Sequence, residues 1–174
     1  MSFSGHTARK RFGQHWLRDV RVLDQIVEAA SLQQDDRVLE VGPGRGALTE
    51  RLLASPAAKV HAIELDRDLV QGLHDRFGTD TKFSLRGGDV LEAPLHLEDG
   101  GFANKVVANI PYNITGPLLG RLVGHLDHPV EPTYECLVLL VQKEVAERIR
   151  AKPGRSSFSA LSCLLYTSPS PRDS

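Results

Sequence analysis

The stretch Arg37-Val38-Leu39-Glu40-Val41-Gly42-Pro43-Gly44-Arg45-Gly46 decides the fold. Residues 37–41 read as a short strand that runs straight into a glycine-rich turn. The glycines let the backbone turn sharply and let a ligand approach the main chain. The helix that continues over 49–54 offers free N–H groups. The turn is not a P-loop, because no Gly-Lys-Ser/Thr follows, but Gly42, Gly44 and Ala47 also satisfy a loose dinucleotide-binding pattern.

Outward from this turn, Asp19 is placed as a helix N-cap, with Val20, Leu23, Ile26, Val27 and Ala30 behind it at helical spacing. Further strands are expected over 59–65, 82–85, 105–109 and 135–141. Further helices are expected over 66–77, 117–126 and 143–150, the second stopped by Asp127-His128-Pro129. Segment 135–141 is almost continuously apolar, the mark of a strand covered on both faces. Strands alternating with helices mean βαβ units and an α/β fold with a parallel sheet. Five strands put 37–41 near the centre of a doubly wound sheet. Ligands then bind beyond the carboxyl ends of the strands.

Composition sets the outer bounds. A chain of 174 residues, 41% hydrophobic and 25% charged, suits one globular domain. The longest wholly apolar run, 136–141, has six residues, too few for a membrane span, and no signal peptide is expected. Two cysteines build neither a disulfide scaffold nor a four-cysteine zinc site, and the seven histidines show no metal-ligand spacing. Net charge is −1, yet residues 1–21 hold Arg9, Lys10, Arg11, Arg18 and Arg21 against Asp19 alone. Such a basic arm is either a solvated tail or a local phosphate grip.

The strand ends carry the chemistry. Glu64 lies at the end of the second strand, twenty-two positions after Gly42, where a carboxylate can accept both hydroxyls of a ribose. Nicotinamide dinucleotides and S-adenosylmethionine both need that contact. Asp89 follows the third strand and can accept from the exocyclic amine of adenine, or simply close a turn. Asn109-Ile110-Pro111-Tyr112-Asn113-Ile114 begins on the last residue of the fourth. An amide, a rigid proline and an aromatic ring at the mouth of the sheet have no obvious use in a dehydrogenase. They do suit methylation of an adenine amine, whose lone pair is delocalised into the ring. Hydrogen bonds from that amine to the Asn109 side-chain oxygen and to a main-chain carbonyl favour the reactive geometry. Tyr112 can stack on the flipped base.

With these residues in place the chain resembles the ribosomal RNA adenine dimethyltransferases of the small subunit, which make N6,N6-dimethyladenosine. The resemblance runs over about residues 8–162. It rests on RKRFGQHWL (9–17), VLEVGPGRGALT (38–49), IELD (63–66), GGDVL (87–91), NIPYNI (109–114) and QKEVAERI (142–149). Trp16 stands where the family usually has Phe. The resemblance implies a Rossmann-like class I S-adenosylmethionine-dependent methyltransferase sheet over 19–162, truncated before its last strands, behind the arm 1–18. It implies cofactor contacts at Gln14, His15, Leu17, Gly42, Gly44, Glu64, Asp89, Val90 and Asn109. The catalytic segment is Asn109, Ile110, Pro111 and Tyr112, with the Ile110 carbonyl facing the target amine. Arg9, Lys10, Arg11, Lys143 and Arg148, together with Lys152 and Arg155, are candidates for ribosomal RNA, since phosphates dominate such affinity. A cytoplasmic monomer without membrane contact is expected. Two readings compete: a large-subunit RNA methyltransferase of the antibiotic-resistance type, and a non-catalytic nucleic-acid-binding relative.

The fit ends after Ser162. Residues 163–174 read like a translated sequencing-library adapter and are expected to be a non-native tail; as biology they would be a disordered Pro/Ser segment. The resemblance implies that the last strands, an aromatic facing the target base and a small helical RNA-binding domain lie beyond this chain. The chain by itself is therefore expected to be inactive.

Overall fold

A computed structural model describes residues 19–110, 112–125, 128–129, 134–141 and 143–151. Arg9, Lys10, Arg11, Gln14, His15, Leu17, Pro111, Lys152, Arg155 and the 163–174 tail lie outside the described residues.

Five parallel strands, β1 (Arg37–Val41), β2 (Lys59–Glu64), β3 (Phe83–Gly87), β4 (Lys105–Asn109) and β7 (Cys136–Leu140), form a sheet in the order β3-β2-β1-β4-β7. The expected centre is β1, so its carboxyl end is flanked by those of β2 and β4. Alternate side chains feed two layers. On one face Val38, Val60 and Val107 pack against Leu23 and Ile26 of α1 (Val20–Ala30) and Leu48 and Leu52 of α2 (Ala47–Ala54). On the other, Leu39, Val41, Ile63, Val106 and Ala108 meet Val90, Leu97, Tyr134 and Leu118 and Leu122 of α4 (Thr115–Val123). This is why β1 and β4 are apolar on both sides rather than alternating.

Side-chain caps open two of the helices. Asp19 accepts from the Arg21 N–H at 3.0 Å, and Asp66 accepts from the Asp68 N–H at 2.9 Å to open α3 (Arg67–Phe77). Val20, although in phase with the apolar stripe, is exposed. Helix α4 starts and stops earlier than its sequence suggests. A 3₁₀ turn at Tyr112–Ile114 leads into it, Pro117 sits in its first turn where a missing N–H costs nothing, and Gly124 ends it with φ +82°. The chain then enters a two-stranded ribbon of β5 (Gly124–His125) and β6 (His128–Pro129). Strand β7 is half-buried along its whole length rather than covered on both faces, since it forms an edge of the sheet among the described residues. Helix α5 (Lys143–Arg150) follows it.

The end of the sheet away from the glycine turn is tied by a buried ion pair. Asp36 meets the Lys105 ammonium at 2.7 Å and accepts from the Asn104 amide at 2.7 Å and the Gln33 N–H at 2.7 Å. Burial would raise the Asp36 carboxyl, but these donors override it and hold it below its usual range. Lys105 also donates to the carbonyls of Ala30 and Ser31, locking the end of α1 to β4.

Candidate active site

The carboxyl ends of β2, β1 and β4 bring Gly42, Gly44, Glu64 and Asn109 together. The Gly42 N–H donates to the Ile63 carbonyl at 3.0 Å. On its other side a Cβ at Gly42 would stand 3.3 Å from the Asn109 carbonyl, and φ is +68°. The turn is therefore wedged between β2 and β4, and any side chain there is strained. Gly44, also in the left-handed region at φ +60°, has nothing within 4 Å of where a Cβ would stand, so its outer face is open to a ligand.

Glu64 is buried but not isolated. Its Oε2 accepts from the Gly44 N–H at 3.0 Å and its Oε1 from the Asp66 N–H at 3.0 Å. Two main-chain donors thus fix the carboxylate, and each oxygen keeps acceptor capacity for another donor. Beside it, the exposed Leu65 with Arg67, Val70, Gly87 and Gly88 lines a hollow of about 310 Å³. An apolar wall next to an oriented carboxylate suits a nucleoside: a flat base in the hollow, its ribose on Glu64.

The Gly88 N–H donates to the Glu64 main-chain carbonyl at 2.9 Å, so the next loop starts beside this hollow. Asp89 is partly a turn residue. Its Oδ1 accepts from the Leu91 N–H at 2.9 Å, and its main-chain carbonyl accepts from the N–H groups of Glu92 and Ala93. Val90 follows Asp89 in the same turn. Its side chain is buried in the core with Leu97, Leu118 and Leu122, so any cofactor contact from Val90 comes from its main chain.

Asn109 is half-buried and closes β4. The Ile110 N–H donates to the Leu140 carbonyl at 3.1 Å and its side chain is buried, which fixes the segment carrying the Ile110 carbonyl. The backbone of Tyr112 starts the 3₁₀ turn. Lys143 and Arg148 lie on α5, exposed; Lys143 stands 4.0 Å from Glu147, a surface pair too weak to withhold it from a phosphate.

Glu40 is a residue that the motif reading passed over. It is 1% exposed beneath the glycine turn. Its Oε2 accepts from the Thr49 hydroxyl at 2.7 Å, and Oε1 has no partner among the described residues. Burial pushes its carboxyl up to about 8, with the Thr49 hydroxyl pulling the other way and the Glu64 charge adding to the rise. The signal was an acid inside an otherwise apolar strand. Its ordinary value is 4.5, so the unfolded chain loses this proton first. Stability therefore falls as pH rises from about 4.5 towards about 8, then levels off. Glu40→Gln removes that slope. Urea midpoints at about pH 5 and about pH 8 check it: the parent falls and the variant falls less, and equal falls contradict the assignment.

Comparison with known proteins gives the family. Residues 5–168 match the family described as ribosomal RNA adenine dimethylase. Over 162 residues the chain is 89% identical to ribosomal RNA small subunit methyltransferase A of Synechococcus sp. (strain CC9902), covering 93% of this chain and 59% of that protein. The chain thus spans about three fifths of the length of that relative. A dimethyladenosine transferase from Plasmodium falciparum superposes with a TM-score of 0.74 at 33% identity, over 85% of this chain and 50% of that one. The 23S rRNA methyltransferase ErmE gives 0.66 at 30% identity, over 79% and 52%. The fold is the Rossmann-like sheet of class I S-adenosylmethionine-dependent methyltransferases, and the chain belongs to the ribosomal RNA adenine dimethylase family.

Proposed function

We propose that this chain is the cofactor-binding part of an enzyme that methylates N6 of adenines in small-subunit ribosomal RNA, giving N6,N6-dimethyladenosine. The observation that carries this reading is the convergence of the Gly42–Gly46 turn, Glu64, Asp89 and Asn109 at one end of the sheet. The identity of 89% to a small-subunit enzyme, against 30% to a large-subunit one, favours the small subunit.

Bound S-adenosylmethionine would supply an electrophilic methyl group on a sulfonium whose departure leaves a neutral thioether. Glu64 accepts the ribose hydroxyls with a carboxylate already oriented by Gly44 and Asp66. Asp89 accepts from the adenine amine with the oxygen its own turn leaves over. Gly42 and Gly44 let the methionine end approach the main chain, helped by Gln14, His15 and Leu17 from the arm. The Asn109 side-chain oxygen and the Ile110 carbonyl accept the two N–H bonds of the target amine and turn its lone pair out of conjugation. Pro111 stiffens this segment, and Tyr112 stacks on the target base. The amine sheds its proton to solvent after attack. Arg9, Lys10, Arg11, Lys143 and Arg148 meet phosphates of the RNA.

In this reading 1–18 is the RNA-facing arm, 19–162 the cofactor domain and 163–174 a foreign tail. The parent protein is a cytoplasmic monomer acting on the small ribosomal subunit. No helix among the described residues is long and apolar enough to cross a membrane.

Calorimetric titration tests the cofactor assignment. S-adenosylhomocysteine is expected to bind the chain with one-to-one stoichiometry, and NAD is not. Binding of NAD without S-adenosylhomocysteine overturns the reading.

A further inference from the structure

We propose that Arg121 is a positioning residue that clamps the Asp89 turn and so sets where the Asp89 carboxylate stands for the adenine amine of the cofactor. This rests on the role given to Asp89 above.

Arg121 lies on α4, 31 residues from Val90 in sequence. Its Nη1 donates to the Val90 carbonyl, and its Nη2 donates to the Glu92 carbonyl at 3.4 Å. Both carbonyls belong to the turn that Asp89 opens. Asp89 closes that turn from inside, through the Leu91, Glu92 and Ala93 N–H groups. Arg121 closes it from outside. Between the two, Val90 is pinned in the core against Leu118 and Leu122 of the same helix. The turn is therefore held at three points, two of them on α4.

A guanidinium suits this task. Its planar fork reaches two carbonyls at once, whereas an ammonium is a point charge without fixed directions. Ordering so long a side chain costs rotamer freedom, which a solvated arginine would keep. The same helix begins six residues after Asn109. One element thus fixes the turn that faces the cofactor's base and continues the segment that faces the target base.

A purely stabilising arginine and a positioning one differ in ligand discrimination. The probes are S-adenosylhomocysteine and S-inosylhomocysteine, in which a carbonyl oxygen replaces the exocyclic amine. Asp89 can accept from the first and is repelled by the second. Calorimetric Kd values are measured on the 174-residue chain as the parent, Arg121→Met, Arg121→Lys, Asp89→Asn and the double variant Arg121→Met/Asp89→Asn. Arg121→Met is expected to weaken S-adenosylhomocysteine about tenfold, the size of one hydrogen bond to a charged group. It leaves S-inosylhomocysteine nearly unchanged, so the preference for the amine shrinks. Arg121→Lys, which still reaches one carbonyl, restores part of the preference. In the double variant the two losses do not add, because Arg121 acts through Asp89. Equal weakening of both ligands by Arg121→Met overturns the proposal, as do fully additive losses or an unchanged preference. A parent chain that binds neither ligand overturns the cofactor reading itself, and this proposal with it.

Discussion

Incubated with undermethylated small ribosomal subunits and labelled S-adenosylmethionine, the 174-residue chain is expected to incorporate no label above background. Continuing it after Ser162 with the C-terminal part of the 89%-identical Synechococcus relative is expected to restore transfer. Deleting 163–174 alone changes nothing. The reason is the division of labour across the parent protein. The cofactor-facing strand ends are all here, but this chain spans only 59% of that relative. A flipped adenine with one stacking face unprotected loses about 1–3 kcal/mol. In the proposed reading the rest of the parent protein adds phosphate contacts, and their loss costs most at low salt, where such contacts are strongest. Water at the reacting amine further weakens its hydrogen bonds to Asn109 and Ile110. Label incorporation by the 174-residue chain near the rate of the extended protein contradicts this account.

In the extended protein, Asn109→Ala and Glu64→Ala are expected to fail in opposite ways. Asn109→Ala lowers kcat by about 10²–10³, the effect of removing a preorganised partner worth about 3 kcal/mol at the reacting centre, and leaves the cofactor Kd nearly unchanged. In the proposed reading its amide oxygen acts on the target amine, and its backbone stays paired to β7. Glu64→Ala weakens S-adenosylmethionine first, by at least about tenfold, since each hydrogen bond to a carboxylate contributes about 1.5–3 kcal/mol. It also strands the N–H groups of Gly44 and Asp66, which now orient that carboxylate. Single-turnover rates at saturating cofactor, set beside equilibrium Kd values, separate the two. Matching losses of rate and Kd in Asn109→Ala would make Asn109 chiefly a cofactor ligand.

Several features were legible along the chain because their causes are local. Asp19 and Asp66 cap helices through N–H groups two residues away. The apolar runs of β1 and β4 and the spacing from Gly42 to Glu64 follow from strand and helix periods. Together they placed β1 at the centre and the candidate site at one end of the sheet. Other features depend on groups far apart in sequence. Val20 fits the apolar stripe of α1, but only the packing of α1 on the sheet leaves it in solvent. Val90 lies within a recognisable motif, yet the approach of α4 turns its side chain into the core. Burial beneath the turn and α2 pushes the Glu40 carboxyl up and leaves one oxygen without a partner among the described residues. Arg121 reads as an ordinary surface charge on a helix until the sheet register carries that helix against the Asp89 turn. Composition and spacing determined the five strands of the sheet and the order of the helices between them, though not the β5–β6 ribbon, since backbone hydrogen bonding and hydrophobic period act over a few residues. Burial, protonation and the clamp on Asp89 were decided by the tertiary structure, because each depends on which distant surfaces exclude water from a polar group.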